Sequence, residues 1–331
     1  MRYVFLDANI LLDFYRYGDD DLAEVAKLIA LCADGELCQI TNKVLRGEVA
    51  RNREKVLAES FGALKSQKFG FKAPNYCRNM DEYSALKEAL KAAGKCHNDL
   101  INRVDEAISK NQLEADKLLE ELWAKAKELP VDEQVVSKAE RRISLRNPPG
   151  KQVSLGDAIH WESFLETNIG LYSLDIVSRD EDFQSELRPG KIKSVLEEEW
   201  RGGQGSWAEL TLFTSLSSFF RERFPQIKLS DEVQKNELIA NLSTSPNFAT
   251  THALVEELLE FEFFTKGQAL RLFSILVENS QVGWIAMDAD LNELFTKKLI
   301  EHVSDVPDSV AREAALALDV DYEEFFQPLP F

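Results

Sequence analysis

Tyr3-Val4-Phe5-Leu6-Asp7-Ala8-Asn9-Ile10-Leu11-Leu12-Asp13 is the stretch on which the fold turns. Four apolar strand formers run into an acid, and an apolar helical pattern starts at Ile10. The reading is strand, sharp turn, helix. Working outward, a helix is predicted over about 20–33, a strand over 36–40, and then a helix capped by Thr41 or Asn42. Strands that alternate with helices imply a mainly parallel sheet covered on both faces, an α/β fold.

Residues 81 to about 129 are dense in Ala, Leu, Glu and Lys and read as one or two long polar helices. A further helix over about 131–141 completes a helical insertion at 81–145. Arg146-Asn147-Pro148-Pro149-Gly150 is a loop. A helix at 155–166, strands at 171–177 and 209–213, and a short helix at 193–200 follow. Beyond about 228 the pattern is helical, with segments at 231–241, 251–263, 266–279, 290–302 and 308–326 and a short strand at 282–286. The expected domains are 1–227 and a mostly helical 228–331.

The 331 residues carry 44% apolar and 29% charged side chains, an ordinary globular composition. No apolar run approaches the roughly 20 residues of a membrane helix, and the start turns acidic too soon for a secretory signal. Cys32, Cys38, Cys77 and Cys96 form no close pair, which argues against a zinc or disulfide scaffold and fits a cytoplasmic setting. A net charge of -18 opposes non-specific nucleic-acid binding by the whole surface. The charge is uneven: residues 43–78 hold nine Lys or Arg against three Glu, whereas 251–331 hold sixteen acids and five bases. A local basic face remains available to a polyanion.

Asp7 directly follows one strand, and Asp180 and Asp182 follow the strand ending at Val177. Side chains beyond the carboxyl ends of parallel strands converge on one crevice. Glu48 and Asp157, on or at the start of helices, border it. Such a cluster calls for a counter-charge, and a hard cation, Mg²⁺ or Mn²⁺, suits it and would activate water. Asp7, Glu48, Asp157 and Asp180 are therefore the candidate catalytic residues and metal ligands, with Asp182 a further ligand. Plainer readings stand beside this one. Asp7 can cap the helix near Ile10, Asp157 suits any helix start, and 180–182 can be a surface turn.

Asn9, Arg46, Arg51, Arg142, Arg146 and Lys151 are candidate substrate contacts, or a turn residue and a solvated basic surface. Tyr15, Tyr17 and Trp161 can stack on a base or belong to core and rim. His160 reads as packing or as support for the acids.

The opening stretch resembles that of a PIN domain. Pro148-Pro149-Gly150 with Leu155-Gly156-Asp157-Ala158-Ile159-His160-Trp161-Glu162 resembles the central motif of a bacterial PIN-like branch catalogued as a domain of unknown function. Ile176 to Phe183 resembles its third motif, and Glu197 to Trp200 and Leu212 to Leu216 its downstream segments. The resemblance covers residues 1 to about 225. It implies a PIN-like three-layer fold, Mg²⁺ or Mn²⁺, and hydrolysis of phosphodiester bonds, usually in RNA. Its acidic positions fall on Asp7, Glu48, Asp157 and Asp180. Many such proteins act as toxins or in RNA processing. The leading expectation is thus a metal-dependent endoribonuclease. The alternatives are a DNA or structure-specific nuclease of the same fold and a non-catalytic scaffold or regulatory protein, with a protein partner or self-association through the C-terminal region.

Overall fold

The structure is a computed structural model and describes residues 2–16, 22–150, 154–167 and 173–327. Five strands, β1 (Arg2–Leu6), β2 (Leu37–Thr41), β3 (Lys127–Glu128), β4 (Leu174–Val177) and β5 (Leu210–Phe213), form one parallel sheet in the order β3-β2-β1-β4-β5. Central parallel strands are covered on both faces, which is why Val4, Phe5, Leu6, Ile176 and Val177 run apolar without alternation and are fully buried. The chain winds from β1 outward to β3, then returns to lay β4 on the other side of β1. The carboxyl ends of β1 and β4 therefore bound the switch-point crevice where α/β sheets place their ligands.

The α/β class, the helical insertion and the helical C-terminal region are as expected, and three local expectations change. Residues 282–286 are not a strand, since a helix covers Ser280–Gly283. The stretch 81–129 ends not in helix but in β3, added at the sheet edge through Ile40 and Thr41. Two residues within a helix-forming composition carry too little period to register as a strand. The strand expected over 171–177 is β4 and begins at Leu174, and 171 and 172 lie outside the described residues.

The insertion extends the helix Lys43–Lys65 and packs a 29-residue helix, Asp81–Ser109, beside it. That long helix has no fully buried residue, so its amphipathic pattern covers an arm and not a core.

One buried apolar cluster runs from Tyr3 to Ile227 and a second from Leu238 to Phe326. The turn before β2 joins them. Thr265 caps the helix Lys266–Glu278, and its hydroxyl donates to Asp34 Oδ2 at 2.7 Å. Glu36 accepts from the Lys266 N–H, and Arg271 reaches Asp34 at 3.3 Å. A Cβ on Gly267 would lie 2.8 Å from Asp34 Cα, so glycine is what allows this approach. Nearby, the buried Lys235 donates to Glu232 at 2.6 Å and to the Phe263 carbonyl at 2.7 Å.

Candidate functional site

The Asp7 N–H donates to the Val177 carbonyl at 3.0 Å, which fixes Asp7 beside the residues that leave β4. The carboxylate is 4% exposed, and both its oxygens are engaged. Oδ1 accepts from the Ala8 N–H at 2.6 Å, the cap reading of the sequence, while Oδ2 accepts from Asn9 Nδ2 at 2.7 Å and Ser178 Oγ at 2.5 Å. Burial, and then the charges of Glu48 and Asp180, push the Asp7 pKa up to about 6 against the pull of Ser178 and the Ala8 amide.

Asp157 lies in the first turn of the helix Leu155–Glu166 and is buried. Its pKa is pushed up to about 7 by burial first, then by Asp7, Asp180 and Asp182. Glu48, half-buried on its helix, is raised by burial and by Asp157, with Arg51 opposing. The fold thus brings Asp7, Glu48, Asp157 and Asp180 into one field of like charge. Asp180 Oδ1 accepts from the Asp182 N–H at 2.8 Å, and Asp182 Oδ2 accepts from the Gly150 N–H at 2.8 Å. The turn reading thus describes local bonds that both acids make.

His160 is fully buried against Phe5, with ring centroids 5.3 Å apart. Asn42 caps the helix after β2, its Oδ1 accepting from the Val44 and Leu45 N–H groups at 3.0 and 2.9 Å. Its Nδ2 must therefore donate to His160 Nδ1, 2.9 Å away. The remaining proton sits on Nε2, which has no hydrogen-bond partner and lies 4.0 Å from Glu48 Oε2. Burial holds the His160 pKa down at about 4, so the ring is neutral and this approach is not an ion pair. His160 was expected to pack or to support the acids, and no signal in the sequence pointed to the Asn42 link.

The metal expectation fails on geometry. Among the described residues, no three His, Cys, Asp or Glu side chains form a group able to hold a metal ion. Both oxygens of Asp7, and Oδ2 of Asp182, are turned onto donors of their own fold. The set does not fit Mg²⁺ or Mn²⁺, and the expectation of a metal-dependent endoribonuclease or other metal-dependent phosphodiesterase is corrected with it. Among the described residues, hydrolysis by ion-activated water has no supporting arrangement, and the nuclease, hydrolase, metal-binding and toxin-like expectations fall with it.

The candidate substrate contacts divide. Arg142, read as a phosphate contact, is buried and donates to Glu162 at 2.6 Å, Glu199 at 2.5 Å and the Pro148 carbonyl at 2.6 Å. Arg46 donates to the Trp123 carbonyl at 3.1 Å and pairs with Glu128 at 3.6 Å. Arg51 and Arg146 are exposed, and Lys151 lies outside the described residues. Asn9 bridges Asp7 to the Arg179 segment. Tyr15 is buried with its hydroxyl on Asp116 at 2.7 Å, and Trp161 is fully buried with Nε1 on Glu199 at 2.9 Å, so neither ring is free to stack on a base. Tyr17 lies outside the described residues.

Two elements escaped sequence reasoning. Ser178, a fully engaged neighbour of Asp7, resembles any turn serine in sequence. Asp175, inside β4 with no exposure, is held by Arg2 at 3.0 Å and Arg223 at 2.9 Å. An acid within a strand of apolar residues was the available signal.

No helix among the described residues is long and apolar enough to cross a membrane. No curated protein and no solved structure matches the chain. A family model described as PIN domain matches residues 4–183, more than half of the 331-residue chain, and its span holds most of β1, all of β2, β3 and β4, and Asp7, Glu48, Asp157, Asp180 and Asp182. With the parallel sheet and crevice already in place, the chain belongs to the PIN domain family.

Proposed function

We propose that this protein works as a non-catalytic regulatory or scaffold protein of the PIN fold, with residues 1–227 and 228–331 as its two domains. The observation that carries this reading is the state of Asp7. Both of its oxygens are closed on Ala8, Asn9 and Ser178, so the central acid of the crevice braces the β1–β4 junction. Buried carboxylates satisfied in this way act as structural ties. The partner class this favours is protein, because of the basic residues expected to meet RNA or DNA, Arg142 is sealed in the interior and Arg46 is tied to the insertion, which leaves Arg51 and Arg146 as the exposed ones among the described residues. Four free cysteines agree with a reducing, cytoplasmic setting.

The test is incubation of the purified chain with single-stranded and structured RNA and DNA, with Mg²⁺ or Mn²⁺. The expected result is no cleavage, no Mn²⁺ titration heat, and co-purifying partners retained by Asp7→Asn and Asp180→Asn variants that stay folded. Divalent-dependent cleavage that disappears in Asp7→Asn would overturn the reading.

A further inference from the structure

The sheet has two edges, and they are treated differently. At one edge, β3 is only two residues, Lys127 and Glu128, both exposed and charged. Short, charged strands are how sheets avoid unwanted pairing. At the other edge, β5 presents four residues, three of them apolar: Leu210, Leu212 and Phe213.

The ladder fixes which way β5 faces. The Leu174 N–H donates to the Glu209 carbonyl at 3.0 Å and the Ser178 N–H to the Phe213 carbonyl at 2.9 Å, with Leu174 opposite Leu210. Parallel pairing alternates, so Thr211 and Phe213 turn their backbone groups to β4. The N–H and C=O groups of Leu210 and Leu212 turn outward. Among the described residues nothing bonds to them.

These groups border a cavity of about 510 Å³ whose lining includes Leu210, Leu212, Leu187, Arg188, Lys191 and Glu197. The far wall is a hairpin held by the Gln184–Ile192 bridge and by the Ser185 N–H on the Lys191 carbonyl at 2.8 Å. Leu187 at its tip is 92% exposed. Glu197 is already paired with Arg201 at 2.6 Å, whereas Arg188 and Lys191 are exposed and have no acid partner among the described residues. The groove therefore combines unpaired backbone groups on two residues only 7% and 4% exposed, an apolar wall and two cations with no acid partner among the described residues.

We propose that β5 takes up an extended, acidic segment of a protein partner as a sixth strand of the sheet. A strand there lies roughly 4.8 Å from β5, and its backbone bonds Leu210 and Leu212. Its apolar side chains meet Leu187, and its acids meet Arg188 and Lys191. A nucleic acid would also meet the two cations, but it offers no N–H and C=O groups at strand spacing, so the open ladder favours a peptide. This inference goes beyond the function proposed above and is independent of the acidic crevice.

The experiment uses the full chain and a fluorescent capped peptide, acetyl-Asp-Val-Glu-Val-Asp-amide, in a polarisation titration. The controls are its Lys-for-acid counterpart and versions N-methylated at alternate positions. Saturable binding is expected for the acidic peptide alone, lost on N-methylation of one alternate set. It should weaken by about tenfold or more in Arg188→Glu/Lys191→Glu, whose exposed sites leave folding intact. Amide exchange at Leu210 and Leu212 should slow on binding. Absence of saturable binding, or binding that ignores both N-methylation and the charge reversal, overturns the proposal. So does self-association abolished by the same charge reversal, which would make a second copy the occupant of this edge.

Discussion

Replacing Asp157 by Asn tests the electrostatics of the crevice most directly. In the fold its pKa rises from the ordinary 3.8 to about 7. At about 1.4 kcal/mol for each tenfold change in proton affinity, a rise from 3.8 to about 7 corresponds to about 4 kcal/mol. The sign follows from linkage. The folded state holds the proton more tightly than the unfolded chain, so the ionised group opposes folding. The penalty is absent below the unfolded pKa, grows as pH rises, and is complete above about 7. Asparagine cannot ionise and escapes it, while weakening the Ser154 contact costs about 1 kcal/mol. Asp157→Asn should therefore be more stable than the parent by about 2–4 kcal/mol near pH 8, and no more stable near pH 4. Urea unfolding of both proteins across that range reads the difference. A difference that stays flat with pH, or a variant weaker than the parent at high pH, refutes the reasoning.

Arg142→Ala strands Glu162 and Glu199 without their counter-charge and should cost about 3–5 kcal/mol in urea unfolding. Asn42→Ala removes a helix cap and the donor to His160 together. A loss of at least about 1–2 kcal/mol is expected, and the His160 ring resonances should shift in NMR spectra. Gly267→Ala pushes a methyl into the Asp34 backbone and should destabilise by about 1–3 kcal/mol, read by calorimetry, with faster amide exchange around Thr265.

The periodicity of β1, β2 and β4 made the parallel sheet legible, because buried central strands must be apolar on both faces. The same reading brought Asp7 and the 178–182 segment to one crevice, since both follow strands that turn out to be neighbours. What it could not carry was the direction of each oxygen. Whether Asp7 faces a cation or Ala8, Asn9 and Ser178 is decided within about 3 Å, by rotamers that spacing does not encode. Arg142 was misread for a related reason. A basic residue in a basic stretch looks solvated until the helix Glu133–Ser144 is packed against Leu155–Glu166, where Glu162 waits for it. The edge strand β3 was hidden because its two residues pair only through neighbours supplied by β2.

Asp175 carries a consequence for how this chain must emerge from synthesis. Its two arginines come from Arg2 at the start of β1 and from Arg223, and its strand is the second neighbour of β1. Until β4 appears, β1 has β2 along one side only and presents the other as a bare, greasy seam. Residues 7–173 must follow β1 out of the ribosome before that seam closes, and Arg223 must follow before the knot of charge beneath it is complete. Delayed closure of this kind slows folding and leaves the nascent chain open to aggregation, so the opening residues that specify the architecture are among the last to be secured.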